Sequence, residues 1–303
     1  MKWVLLSSVP LRRILWALLL LASTTYAASD SDFMAPIAPF RIAGNLYYVG
    51  SRDLASYLIV TPDGDILINS NFEASVPQIR KSIEQLGQRI SNVRILLISH
   101  AHSDHDAGSA EIKRESGAQY MVMDGDVSVV ESGGKTDFQY PQDRYPAVKV
   151  DRVLHDGDEV RLGGSALVAH KTPGHTRGCT TWTMQVPDNG RRLNVVIVCS
   201  WNVNPGYRLV DQPGHPASYP GIATDFEHTF AVLRQLPCDV FLGAHGSYFD
   251  LLGKLSRPGA ATAVSVWIDP QGYQATVQER ESAFLTELAR ERALHDRQDH
   301  QPQ

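Results

Sequence analysis

Between residues 100 and 105 the chain reads His100-Ala101-His102-Ser103-Asp104-His105, four potential metal-ligating side chains in a very short stretch. It follows directly on Arg94-Ile95-Leu96-Leu97-Ile98-Ser99, a continuous apolar run of the kind that forms a strand covered on both faces. Residues two apart at a strand end face the same way, so His100 and His102 can grip one ion. Asp104 and His105 fall in the turn that follows and point to a neighbouring position. Three imidazoles and a carboxylate are borderline ligands suited to zinc. The plain alternative is a histidine-rich surface loop, but its place after a buried strand and before a helix speaks against that. Two more histidines stand in loops after strands, where sites usually sit. These are His175, in Thr172-Pro173-Gly174-His175-Thr176, and His245, in Gly243-Ala244-His245-Gly246. Either alone reads as a structural histidine; beside the first cluster they complete two ligand sets. His155, His170, His215, His228, His295 and His300 lack such settings and read as surface or locally bonded residues.

The elements that must position these side chains are legible as alternating strands and helices. Leu46–Val49 and Tyr57–Val60 read as strands, the latter joined to Ile66–Ile68 through the turn Pro62-Asp63-Gly64. Val76–Leu86 has helical apolar spacing, Gly108–Ser116 reads as a helix, Tyr120–Met123 as a strand and Asp126–Glu131 as a helix. A polar, glycine-containing loop runs from Ser132 to about Pro146. The second half repeats the theme with strands at Val148–Val153, Glu159–Leu162 and Ala166–His170, then a hairpin, a helix over Asp225–Leu236 and a strand over Asp239–Leu242. Glu281–His295 reads as a terminal amphipathic helix. Strands followed by helices twice over predict an α/β, αββα four-layer sandwich of two packed mixed sheets with helices on the outer faces.

The amino terminus has another character. Lys2, Arg12 and Arg13 precede the apolar run Ile14–Ala22, and Thr25-Tyr26-Ala27 supplies a small-x-Ala cleavage site. That is the pattern of a secretory signal peptide over residues 1–27, too short in its apolar part to span a bilayer. An uncleaved anchor is the alternative. Residues 28–303 then form a single exported domain, periplasmic or secreted, without membrane contact after cleavage. A net charge of -5, with no basic stretch interleaved with aromatics, excludes a nucleic-acid surface. Export places the cysteines in an oxidising compartment. Cys179 and Cys199 lie on two apolar runs flanking Pro187-Asp188-Asn189-Gly190; paired strands bring such residues into disulfide range, which predicts that bridge and leaves Cys238 a buried free thiol.

The His-x-His-x-Asp-His run, the Thr-Pro-Gly-His-Thr turn and the late Ala-His-Gly resemble the metallo-β-lactamase superfamily, over roughly Ile42 to Leu255. The resemblance implies two zinc ions, the first held by His100, His102 and His175 and the second by Asp104, His105 and His245. Glyoxalase II-like and lactonase relatives carry a metal-bridging aspartate after the strand that here is Val195–Val198. This chain has Cys199-Ser200-Trp201-Asn202 instead. That absence, with His105 at the second metal, resembles subclass B3, in which a serine commonly replaces the cysteine ligand of other subclasses. Ser200 is that serine in one register, and Trp201 takes the place in the other.

The implied activity is zinc-dependent hydrolysis of the β-lactam ring of penicillins, cephalosporins and carbapenems, the metals lowering the pKa of water from about 16 to about 7. Asp104 would orient the nucleophile as well as ligate. Ser200 and Asn202 are candidates for the substrate carboxylate, with Arg208 the nearest cation. Tyr207 and the loop around Phe138 and Tyr140 would wall the pocket. The rivals are a lactonase or thioester hydrolase on the same metals, and a non-catalytic zinc module. Six ligands for two ions leave open positions, whereas structural zinc sites are closed by four.

Overall fold

The structure, a computed structural model, describes residues 30–299 except 213 and 261; the expected leader and His300 lie outside them. The first sheet sets β1 (Phe40–Ala43), β2 (Leu46–Tyr48), β3 (Tyr57–Thr61), β4 (Gly64–Ile68), β5 (Val93–Leu97), β6 (Gln119–Met123) and β7 (Arg152–Leu154) side by side in chain order. Its pairings are antiparallel up to β4 and parallel beyond. The second sheet holds β8 (Glu159–Leu162), β9 (Ser165–Lys171), β10 (Thr180–Asp188), β11 (Arg191–Val198) and β12 (Val240–Gly243), antiparallel except for β11 beside β12. The helices among the described residues are α1 (Asp30–Met34), α2 (Val76–Gln85), α3 (Ser103–Asp106), α4 (Ser109–Ser116), α5 (Val127–Ser132), α6 (Ile222–Leu233), α7 (Leu251–Leu255) and α8 (Pro270–Asp299).

Strand alternation explains the layering. Tyr57, Ile59, Ile66, Ile68, Ile95 and Leu97 project into the main core shared with the second sheet, where they meet Trp182, Val195 and Ile197. Their neighbours Leu58, Leu67 and Leu96 project the other way, against Val76, Ile79 and Ile83 of α2 and Ile112 of α4. A period of two thus gives β3, β4 and β5 two apolar faces, and helices must cover the outer one. On the far side Phe226 and Phe230 of α6 stack on Phe284 of α8, with centroids 5.4 and 5.7 Å apart. The αββα sandwich expected from the pattern is the fold.

The hairpin β10–β11 turns through Asn189 and Gly190, both at positive φ (46° and 82°), the backbone that a two-residue turn between twisted strands demands. Its open end brings Cys179 and Cys199 to a Cα separation of 5.8 Å, and they form a disulfide. Replacing both by serine lowers unfolding free energy by about 2–4 kcal/mol. Urea titration checks this, and an unchanged midpoint contradicts it. Cys238 is free and half-buried, its thiol pushed up to about 12 by burial and by Asp239, which leaves it unreactive at neutral pH.

Two expected elements differ. The strand placed at Val148–Val153 is only Arg152–Leu154, because the backbone of Val148 bonds to the Val130 carbonyl and that of Val150 to the Glu131 carboxylate instead of to a neighbouring strand. The terminal helix begins eleven residues earlier than Glu281, at Pro270. Asp269 caps it through Gly272 N–H (3.0 Å), and proline is suited to the first helical position. Only Tyr273 and Val277 are buried in the first turns, too sparse an apolar stripe to announce the helix. No helix among the described residues is long and apolar enough to cross a membrane.

Candidate metal centre

The site lies where β5, β9 and β12 end together. Beyond β5 the chain runs through His100 and His102 into α3, which carries Asp104 and His105. His175 sits in the turn after β9, whose Gly174 adopts φ +126° with its α-carbon face against the Phe226 ring; a Cβ there would come within 2.7 Å of that ring. His245 follows β12. All the sequence-predicted ligands therefore converge.

The rings of His100, His102 and His175 form a triangle with every centroid pair 4.7 Å apart, and one ligand atom from each lies within 4.8 Å of the others. Beside it, His105 Nε2 is 3.2 Å from His245 Nε2, while Asp104 Oδ2 is 3.3 Å from the first and 3.6 Å from the second. The tautomers follow from the partners. Asn202 O only accepts, so His175 Nδ1, 2.9 Å away, carries the proton and its Nε2 keeps a lone pair. Asp53 Oδ2 accepts likewise from His245 Nδ1 at 2.7 Å, which turns the His245 Nε2 lone pair toward His105 and Asp104. His102 Nε2 is buried without a hydrogen-bond partner.

Burial and the neighbouring imidazoles push His100 well below the ordinary histidine range, and burial takes His102 to about 4 and His175 to about 3. These rings are neutral at pH 7, as metal ligation requires. Burial alone would raise the Asp104 carboxyl, but His105, His245 and His102 outweigh it and hold the group below the usual carboxylate range. His245 is moved the other way, raised by Asp53 and Asp104 against its burial. Five imidazoles thus crowd around one ionised carboxylate, with three of the rings held neutral by burial. The donor set fits borderline divalent ions.

Sequence reasoning missed the residues that hold this arrangement. Asp126, buried at the start of α5, accepts from Ala101 N–H (3.0 Å), Thr176 O–H (2.8 Å) and Gly178 N–H (2.8 Å), tying the His100–His105 segment to the His175 turn. Asp53 also accepts from Ser247 N–H at 2.8 Å. Neither Asp53 nor Asp126 sits in a recognisable motif. Asp137 Oδ2 stands 3.7 Å from His102 Nε2.

A cavity of about 230 Å³ opens over His102 and Asp104, walled by Tyr140, Asn204, Phe33 and Phe72. Tyr140 is where sequence reasoning put it, its ring 5.2 Å from His102. Phe138 instead buttresses from behind, against Tyr207 and Tyr219. Tyr207 does not line this cavity: it is buried and donates to His175 O at 2.7 Å. Ser200 is buried as well, its hydroxyl 3.0 Å from Tyr248 OH, to which the Asn202 side chain also donates at 3.1 Å. Arg208 turns to Pro216 O at 2.6 Å. None of Ser200, Asn202, Tyr207 and Arg208 lines this cavity.

With this geometry in hand, comparison with known proteins is consistent throughout. Residues 52–188 match the family model described as the metallo-β-lactamase superfamily. The native FEZ-1 metallo-β-lactamase from Legionella gormanii is 53% identical, with a TM-score of 0.80 over 85% of this chain and 98% of that one. The class B3 di-zinc metallo-β-lactamase LRA-12 from an Alaskan soil metagenome is 34% identical, with a TM-score of 0.77 over 86% of this chain and 98% of that one. The first curated relatives are matched over less than half of their length; a hydroxyacylglutathione hydrolase of Methylobacterium sp. is 28% identical over 107 residues, 35% of each chain. The chain belongs to the metallo-β-lactamase superfamily of hydrolases, and the solved structures it resembles include class B3 enzymes.

Proposed function

We propose that the protein is an exported di-zinc β-lactamase that opens the β-lactam amide ring. His100, His102 and His175 hold one ion, and Asp104, His105 and His245 the other. The observation that carries this reading is the pair of adjacent side-chain clusters, three imidazoles in one and Asp104 with two imidazoles in the other, with His102 and Asp104 opening on one cavity.

Zinc supplies Lewis acidity toward a carbonyl and brings the pKa of water down to about 7, so that a nucleophile exists at neutral pH. The protein's own residues do the rest. Asp104, ionised and facing both clusters, accepts a hydrogen bond from the attacking water and aims it at the amide carbon. Tyr207 and the Asn202 carbonyl lock the His175 loop and its tautomer, and Asp53 does the same for His245. Phe33 and Phe72 give the acyl side chain an apolar wall, while Asn204, bonded to Tyr140 OH at 3.1 Å, presents a polar one. Asn202 is the candidate for the substrate carboxylate, close to the centre and only half-buried.

The similarity to hydroxyacylglutathione hydrolases favours a second reading, thioester or lactone hydrolysis by the same centre. Against it, the Cys199-Ser200 end of β11 offers no carboxylate, and Cys199 is committed to the disulfide. A chromogenic cephalosporin assay separates the two. Turnover is expected, abolished by chelator and restored by zinc. Ready cleavage of a thioester or lactone with none of cephalosporin or carbapenem would overturn the proposal.

A further inference from the structure

The loop between α5 and β7 meets the ligand-bearing segment at three points. Tyr145 OH donates to Ala101 O at 2.9 Å, the Tyr140 ring lies 5.2 Å from that of His102, and the Asp137 carboxylate stands beside the same histidine. The first is a tether and the second a cavity wall. Asp137 has no such account, although it is only 6% exposed and a buried carboxylate without a partner is costly.

The two oxygens of Asp137 have separate surroundings. Oδ1 accepts from Gln139 N–H at 2.7 Å and from Tyr140 N–H at 2.6 Å, the local bonds by which an aspartate starts a turn. The Asp137 N–H donates in turn to Gly134 O at 3.1 Å, so the group is held in place by its own loop. Oδ2 takes no part in these bonds and stands 3.7 Å from His102 Nε2. No lysine or arginine among the described residues pairs with the carboxylate.

His102 has the matching need. Its Nε2 is shut off from solvent and lacks a hydrogen-bond partner, which is costly for a ring nitrogen in either form. Burial takes the ring to about 4, so at pH 7 it is neutral and carries one proton. A carboxylate only accepts, which puts that proton on Nε2 and leaves the lone pair on Nδ1. His175 and His245 are arranged the other way, their Nδ1 protons held by Asn202 O and Asp53. The 3.7 Å gap becomes a charge-assisted hydrogen bond of about 2.8 Å with a shift of about 0.9 Å. Histidines that ligate metals donate their other ring N–H to just such groups, which fixes the ring and raises its basicity.

We propose that Asp137 is a positioning residue of the first cluster. Its Oδ2 accepts from His102 Nε2–H and so commits Nδ1 to the ion shared with His100 and His175, while its Oδ1 ties the same carboxylate to the 133–146 loop beside the cavity. This rests on the reading of His102 as a metal ligand.

Asp137→Asn separates the two duties. Its side-chain oxygen keeps the bonds from Gln139 and Tyr140 N–H, and its NH2 group then faces His102 Nε2–H, donor against donor. Competition between the protein and a chromogenic chelator is expected to show zinc affinity lowered by about 10–100-fold, with the urea midpoint of the metal-free protein little changed. Asp137→Ser, whose hydroxyl also suits the turn, shows the same loss of affinity and serves should the asparagine variant fold poorly. Nitrogen-15 NMR of the unaltered, zinc-loaded protein finds the His102 ring proton on Nε2. Unchanged zinc affinity in both variants, a loss of metal-free stability without a loss of affinity, or a His102 proton on Nδ1 overturns the inference and leaves the metal centre standing. An unaltered protein that binds no zinc overturns the reading of the centre, and the inference with it.

Discussion

Asp104→Asn lowers kcat/KM for a chromogenic cephalosporin by about a thousandfold or more, about 4 kcal/mol of transition-state stabilisation. The change is nearly isosteric, so packing is preserved and what is lost is charge. Asp104 is the one carboxylate facing both imidazole groups, 3.3 Å from His105 Nε2 and 3.6 Å from His245 Nε2. An amide there takes away the negative charge that would balance two dications and turns one acceptor into a donor. It also removes the group that orients the attacking water, which by itself is worth about 10²–10⁴ in rate. Steady-state kinetics with zinc in excess measure the effect. Activity within tenfold of the unaltered protein would remove Asp104 from the chemistry.

Asp126→Ala destabilises the fold by about 3–5 kcal/mol, although Asp126 touches no ligand atom. Its carboxylate satisfies three buried donors on two separate segments, Ala101 N–H, Thr176 O–H and Gly178 N–H. Truncation leaves all of them unpaired, and orphaned donors cost more than a hydrogen bond gains. Burial pushes the Asp126 carboxyl up to about 6 against the pull of those donors, so at pH 7 it is mostly ionised and fully accepting. Because the two segments carry His100, His102 and His175, zinc affinity falls as well, by about 10–100-fold. Urea unfolding and competition with a chromogenic chelator read the two effects. Asp126→Asn, which keeps one acceptor oxygen, falls between the alanine variant and the unaltered protein. A stability loss below about 1 kcal/mol in Asp126→Ala would contradict the role.

How much could be read from the chain depended on whether the signal was local. The His100–His105 run is dense enough to declare itself, and the buried strand before it fixes the direction of its side chains. The hairpin was legible because Asn189-Gly190 is the dipeptide that a tight turn requires, and the disulfide followed from it. His175 and His245 were legible only as completions of a set. Asp53 and Asp126 were not, since each meets the site from a distant stretch of the chain, 192 positions from His245 in the case of Asp53. Spacing put Tyr207 and Ser200 near the metal centre, where Tyr207 bonds to His175 O and Ser200 to Tyr248 OH, but spacing reports proximity and not which face of a coil looks outward. The first turns of α8 were hidden because only Tyr273 and Val277 are buried there, and a cap and a proline set the start more than periodicity does.

Everything said of function requires the two side-chain clusters to hold metal together. The most direct measurement is the zinc content of the folded, dialysed protein, with His175→Ala and His245→Ala alongside. Two zinc ions per chain are expected in the unaltered protein, and a reduced content in each variant. A folded chain that binds no transition metal, or variants that retain both ions, would contradict the account.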